Sequence, residues 1–306
     1  VKVVDATHAK TDDTLANRRC FRYVPKVRSG CGFPTIKMLA FFSLENGGLL
    51  DYIISHNRRS EQSLFRSIWK RALEAGDVML GDRFYCNFAS FAKLSACGIH
   101  LVIRQNATLS TSLRRKKRLG KRDWLCEWER CRMRCAGMSR AQWNDLPKTI
   151  TVRQVETIVE IPGMRTKKVI VLTTLLDRKK YPTADFGVLY RRRWEIELCF
   201  RNIKSAMGMD HIACKTPDMV RKQIAMHFIA YNLIRLLMVE AAVQHEKRLE
   251  RLSFKATVDA VKHWAPLIAL QTSNRKVNML YKSLLNCIAN STVRERPWRR
   301  EPRAVK

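Results

Sequence analysis

The N-terminal third of the chain switches repeatedly between two hydrophobic periods. VKVV (residues 1–4) reads as a buried strand with Asp5 at its end, and the polar stretch THAKTDDTLANRR reads as a loop. TIKMLAFFSL (35–44) and GLLDYIIS (48–55) read as two strands joined at Glu45, Asn46 and Gly47, a hairpin signal. SEQSLFRSIWKRALEAGD (60–77) has the spacing of an amphipathic helix. VMLGD (78–82) is a short apolar strand ending in Asp82. NFASFAKLSACG (87–98) is a second helix closed by Gly98, and HLVIRQ (100–105) a further strand.

Three strands followed by helix, strand, helix, strand predict an α/β fold of the ribonuclease H-like kind: a mixed sheet flanked by helices. In that arrangement the first strand lies beside the fourth, so Asp5 and Asp82 become neighbours. Two carboxylates side by side repel unless a divalent cation lies between them.

After residue 105 the composition changes. LRRKKRLGKR (113–122) holds seven basic residues in ten and reads as a mobile phosphate-binding loop, with Trp124, Trp128 and Trp143 close behind. ITVRQVETIVEI (150–161), a turn at Pro162 and Gly163, and KKVIVLTTLLD (167–177) form a strand pair. The segment 106–166 is therefore expected to be a β-rich insertion before the chain re-enters the main sheet. A helix follows over about 185–206. Thr216 as N-cap and Pro217 at the first helical position open a long helix whose Met219, Ile224, Phe228, Tyr231, Ile234 and Leu237 are expected in the core. The basic, proline-punctuated end (292–306) is expected to be extended or disordered. The expected divisions are 1–105 and 167–245 for the two parts of the core, 106–166 for the insertion and 246–306 for a helical and basic tail.

Charge narrows the function. Fifty-eight Lys and Arg against 27 Asp and Glu give a net charge of +31. Such an excess is the footprint of a polyanion, most simply nucleic acid, but says nothing about catalysis. Ten scattered cysteines with no secretory signal before them read as reduced thiols of a cytoplasmic protein. Cys126, Cys131 and Cys135 have no standard zinc spacing. The most apolar stretch, 224–239, is interrupted by His227 and Arg235 and too short for a membrane span. The chain opens on Val and reads as the interior of a longer frame.

The segment LYRRRWEIELCFRNIK carries the most chemistry. At helical spacing Tyr190, Arg193, Arg201, Glu197 and Lys204 fall in an arc of about 80°, with Ile196, Cys199, Phe200 and Ile203 opposite. One carboxylate among cations suits a metal ion with phosphates gripped on either side. If the fold reading holds, Asp5, Asp82 and Glu197 converge at one sheet edge, where a pair of divalent ions about 3.5–4 Å apart could be clamped. Magnesium, with manganese as substitute, suits oxygen ligands and phosphate substrates. Arg193, Lys204, Arg201 and Arg104 would bind flanking phosphates. Each acid also has a plainer role, Glu197 as an ion-pair partner of Arg193 or Arg201, and by spacing alone Asp51 and Asp77 compete. The tryptophans are more often packing residues than stacking platforms.

Tyr190, Arg193, Glu197 and Lys204 resemble the Y-x2-R-x3-E-x6-K signature of bacterial DDE transposases of the insertion sequence four type. VVDATH, VMLGDRFY, the stretch LTTLLDRKKYPTADFGVLYRRRWEIELCFRNIKSAMGMDHI and the closing REPRAVK resemble family segments, so the likeness covers nearly the whole chain. It implies that Asp5, Asp82 and Glu197 are the metal-binding catalytic triad, and that Tyr190, Arg193 and Lys204 contact the strand near the cleaved phosphate. It implies hydrolytic nicking, a hairpin intermediate, strand transfer into double-stranded target DNA, a flipped base on Trp124, Trp128 or Trp143, and a homodimer on paired transposon ends. A bacterial cytoplasmic location at the nucleoid, without membrane, goes with it. Ala6 departs from the usual Gly after the first aspartate, and only four residues precede Asp5 where the family usually has many more. A catalytically silent relic or repurposed DNA-binding protein, and a nuclease that cleaves without joining, are the competing readings; the intact acids argue against the relic, and the Tyr-Arg-Glu-Lys signature separates a transposase from a simple nuclease.

Overall fold

The computed structural model describes residues 1–24, 32–106, 109, 113–135, 137–159 and 167–294. The expected turn at Pro162 and Gly163 and nearly all of the basic end lie outside the described residues.

The first strand outruns its apolar start. β1 (Lys2–Thr11) continues through Thr7, His8 and Lys10 because it pairs antiparallel with β2 (Thr35–Ser43) from Lys2↔Ser43 to Lys10↔Thr35. Ladder hydrogen bonds are backbone bonds, so polar side chains on a half-exposed face do not end the strand. Asp5 accordingly lies inside β1 and not at its end. Part of the expected loop is α1 (Leu15–Phe21), capped by Thr14, which accepts from Asn17 N at 3.2 Å.

The hairpin partner β3 (Leu49–His56) lies on the outer side of β2. Helix α2 (Glu61–Ala72) starts at Ser60, which caps Ser63 N at 3.2 Å, and buries Leu64, Phe65, Ile68, Trp69 and Ala72. β4 (Val78–Gly81) ends in a tight turn at Arg83–Tyr85. Then come α3 (Phe88–Ala96) and β5 (His100–Arg104).

The basic run is a strand, not a loop. β6 (Leu113–Gly120) is an exposed edge paired with β7 (Asp123–Glu129), where Arg114 and Lys116 lie within 3.5 and 3.3 Å of Glu129 and Glu127. A row of Lys and Arg blunts an open edge against pairing with another chain. After α4 (Arg140–Asn144) the chain returns through β8 (Thr149–Val159) and β9 (Lys167–Thr173).

The expected single helix over 185–206 is broken into α5 (Thr183–Arg192), α6 (Glu195–Arg201) and a wide π turn, Asn202–Ala206. At the break, Arg193 N and Trp194 N reach back only three residues, to Tyr190 and Arg191, a tight 3₁₀ pattern that bends the axis. β10 (His211–Ile212) pairs with the end of β1. The long helix α7 (Pro217–Gln244), α8 (Phe254–Ala269) and α9 (Asn274–Asn290) follow.

Among the described residues the strands form one ten-stranded sheet in the order β3-β2-β1-β4-β5-β9-β8-β7-β6, with β10 beside β1. β1, β4 and β5 run parallel and the other neighbours on this path antiparallel. This is the mixed ribonuclease H-like sheet, continued through β9 by the strands of the insertion. One core lies between the sheet and α5–α9, the other under α2 and α3.

By length and composition α7 is the one helix among the described residues that could cross a bilayer. Its Ile224, Phe228, Tyr231, Ile234 and Met238 are buried in the first core. Polar residues fasten it to the β2–β3 turn: Tyr231 Oη donates to Gly47 O at 2.6 Å, Asn232 bonds Leu49 N and O, and Arg235 Nε donates to Asn46 O at 2.8 Å.

Candidate active site

Register places the first two acids. β1 and β4 pair as Lys2↔Met79 and Val3↔Leu80, and two residues further along each strand come Asp5 and Asp82. Side chains alternate, so Asp5 shares the face of Val3, which packs toward α5–α7. Asp5 Oδ1 accepts from Ala6 N at 2.8 Å. Asp82 Oδ1 accepts from Phe84 N at 2.7 Å and so caps the turn after β4. Gly81 lets this turn close up: a Cβ there would meet Ile103 Cδ1 at 2.9 Å.

The third acid arrives from α6. Glu197 is exposed, while Arg193 one turn earlier is 8% exposed. The Arg193 guanidinium forks between two of the acids: Nη2 donates to Glu197 Oε1 at 3.3 Å and Nη1 lies 3.7 Å from Asp5 Oδ2. Its Nε is buried without a partner. Tyr190 is buried beneath it, and burial pushes the phenol up to about 12, with Arg193 and Arg104 opposing and Asp82 adding.

Burial sets the electrostatics around Asp5. Burial pushes the Asp5 carboxyl up to about 6; the Ala6 N–H and Arg193 oppose this, and Asp82 and Glu61 add to it. Glu61, at the start of α2, is itself raised by burial, eased by Lys37 and raised again by Asp82. Lys204 and His8 lie on the basic side, both lowered first by burial, with Lys37 and Lys204 adding for His8 and Asp210 opposing for Lys204.

The donor set suits a hard cation. It is made of carboxylate oxygens, and Asp5 is held against ionisation by burial and its acidic neighbours. Among the described residues no three His, Cys, Asp or Glu lie close enough to share one ion in this conformation. The Arg193 guanidinium lies between Asp5 and Glu197.

The rival acids are committed elsewhere. Asp51 is bound by Arg71 through two contacts of 2.8 and 2.9 Å, and Asp77 by Lys2 at 2.7 Å.

Comparison with known proteins gives the family. A family model described as the transposase DDE domain matches residues 1–233. The chain belongs to the DDE transposase family. It is 26% identical over 317 residues to the transposase InsG for insertion sequence element IS4 of Escherichia coli (strain K12), covering 99% of this chain and 66% of that protein. A transposase for insertion sequence element IS421 of Escherichia coli is 28% identical over 82 residues, 27% of this chain and 22% of that one. The chain thus spans just under two thirds of the InsG length. A piggyBac transposase in a synaptic complex with hairpin DNA superimposes with a TM-score of 0.49 at 9% identity, over 92% of this chain and 57% of that one.

Within this DDE transposase chain the remaining expected contacts divide. Arg104, at the end of β5, and Lys204, in the π turn, are half-buried, and Arg201 is exposed on α6. Trp128 and Trp143 correct the expectation that either could receive a base. They are 2% and 5% exposed, and both pack on Phe88, with Phe91 also on Trp128. Trp124 is half-buried, with the Arg115 guanidinium 3.9 Å above its ring; Gln154 holds Arg115 at 2.9 Å. Among the cysteines, Cys126 is buried on β7 while Cys131 is exposed, and no metal cluster forms among the described residues. Sequence reasoning missed Glu61, Lys37, His8 and Tyr85. The one signal for Glu61 was its place directly after a helix-capping Ser60.

Proposed function

We propose that the chain is the catalytic part of a DNA transposase that excises and inserts an insertion sequence by metal-dependent nicking, a hairpin intermediate and strand transfer. The observation that carries the reading is the parallel register of β1 and β4, which sets Asp5 beside Asp82, with Glu197 linked to Asp5 through Arg193. Asp5, Asp82 and Glu197 would hold Mg²⁺, or Mn²⁺ in its place, as two ions. Bound there, divalent ions supply Lewis acidity toward the phosphodiester and make an attacking oxygen more acidic.

The protein's own residues bind and orient the DNA. Arg193, Lys204, Arg201 and Arg104 grip phosphates on either side of the scissile bond, and Tyr190 packs under Arg193 to fix its direction. Asp5 and Glu197 would be ligands of the cation, and Arg193, which now contacts both, would donate to a phosphate oxygen. Trp124 receives a base turned out of the stack. The partners are double-stranded transposon ends and target DNA, the working form is a homodimer on paired ends, and the place of action is the bacterial cytoplasm at the nucleoid.

Nicking of supercoiled plasmid in Mg²⁺ or Mn²⁺ tests the site. Wild type should nick, and Asp82→Asn and Glu197→Gln should lose nicking while binding DNA nearly as before. Normal cleavage by a purified, folded Glu197→Gln protein would remove Glu197 from the site.

A further inference from the structure

The carboxylate cluster extends beyond the three family acids. Helix α2 begins directly above the Asp82 turn and is tied to it. The Gln62 side chain donates to Phe84 O and accepts from Asn87 Nδ2 at 3.0 Å. Glu61, the residue before Gln62, is half-buried, and Lys37 on β2 donates to Arg59 O at 2.9 Å just before the helix. Its charge acts on both Asp5 and Tyr85.

A second observation points into the same space. Tyr85 is fully buried, and its hydroxyl has no hydrogen-bond partner. Buried hydroxyls are seldom left unpaired, because an unmade bond costs about 1–3 kcal/mol. The groups that act electrostatically on this phenol are Asp5, Glu61 and Asp82, in addition to its burial. The ring is fixed by edge contacts with Phe65 and Phe84, so the hydroxyl cannot swing away to find a partner. An orphan buried hydroxyl three residues after Asp82, on the turn to which the start of α2 is tied, marks a polar volume that the protein alone leaves incomplete.

We propose that Glu61 is a fourth metal-holding carboxylate of the site, beside Asp5 and Asp82, and that the Tyr85 hydroxyl bonds the hydration shell of the cation held there. The proposal rests on the transposase reading of that site. It assigns Glu61 a task that the Tyr-Arg-Glu-Lys signature does not contain. It also accounts for a half-buried acid on which Lys37 acts only at a distance, its ammonium being engaged with the Arg59 carbonyl.

Electron paramagnetic resonance of free Mn²⁺ during a titration with the DNA-free protein reads binding without reference to activity. Glu61→Gln should weaken Mn²⁺ binding about 10-fold or more, comparable to Asp82→Asn, while Glu74→Gln, an exposed acid on the same connection, leaves it unchanged. Tyr85→Phe should weaken Mn²⁺ binding while keeping or raising the metal-free melting temperature, since it deletes the unpaired group. If Asp82→Asn weakens binding and Glu61→Gln does not, the proposal is overturned and the transposase reading stands. If wild type takes up no Mn²⁺, both are overturned.

Discussion

Arg193 is the residue on which the site turns. It is nearly buried, it reaches two of the three acids, and its Nε has no partner. The guanidinium stands between Asp5, whose charge burial disfavours, and Glu197, and offsets their mutual repulsion. In the proposed function it is also a phosphate contact. Arg193→Ala should therefore weaken DNA binding and reduce the slope of log affinity against log salt by about 1, as expected for loss of one phosphate contact. A titration over 50–300 mM salt, roughly the range where counterion release is measurable, checks this. An unchanged slope would mean that Arg193 serves only as an internal counter-ion.

At the scale of elements, a buried ion pair joins the insertion to the start of α5. Arg153 on β8 makes a two-pronged contact with Asp123 on β7 at 2.9 and 2.7 Å, with both side chains fully buried. Thr183 at the first turn of α5 donates to Asp123 Oδ2 at 2.8 Å, and Arg153 Nη1 donates to Tyr181 O at 2.8 Å. The pair fixes the strands bearing Trp124 relative to the helix leading into Arg193 and Glu197. Burial alone would raise the Asp123 carboxyl, but its bonds from Arg153 and Thr183 outweigh that and hold it below the usual range. A carboxyl depressed on folding contributes stability above its unfolded value, near 3.9, and loses it as pH falls through its folded one. Asp123→Asn should destabilise the protein by about 3–5 kcal/mol at neutral pH, since it leaves Arg153 buried and unpaired. Urea melts of wild type and variant should converge as pH drops below about 4.

At the scale of the molecule, one sheet carries both the acids and the insertion, and packing decides which aromatic side chains remain available to a partner. Trp128 faces α3 and is sealed by Phe88 and Phe91, whereas Trp124 lies under Arg115 with part of its surface in water. Trp128→Ala should cost about 3–5 kcal/mol of folding stability, measured by denaturant melts. Trp124→Ala should cost less stability than Trp128→Ala, since the ring is only partly packed on the second core, and weaken binding to DNA with an unpaired base near the cleavage point, by about 1–3 kcal/mol of stacking. Equal affinity of the Trp124 variant and wild type for that DNA would exclude Trp124 as the platform. The exposed basic strand β6 lies at the far end of this sheet, where its charge protects the edge from pairing with another chain.

The sequence by itself determined the order of strands as far as β5 with the helices α2 and α3 between them, though not α1, the adjacency of β1 and β4 and hence of Asp5 and Asp82, and the polyanion-binding charge. Those follow from hydrophobic period, strand connection rules and composition, which are local or additive properties. It also held the Tyr190, Arg193, Glu197 and Lys204 signature, though as one continuous helical face; the break at Arg193 and the π turn after Arg201 are set by packing against β1 and α8. Only the tertiary structure decided that β1 runs on past its apolar start, that the basic run is a strand, and that two of the three tryptophans are core. It alone brought Glu61 and Tyr85 to the acids. Each of these depends on which side chains meet across elements distant in sequence, and a one-dimensional pattern records a residue's period but not its neighbour.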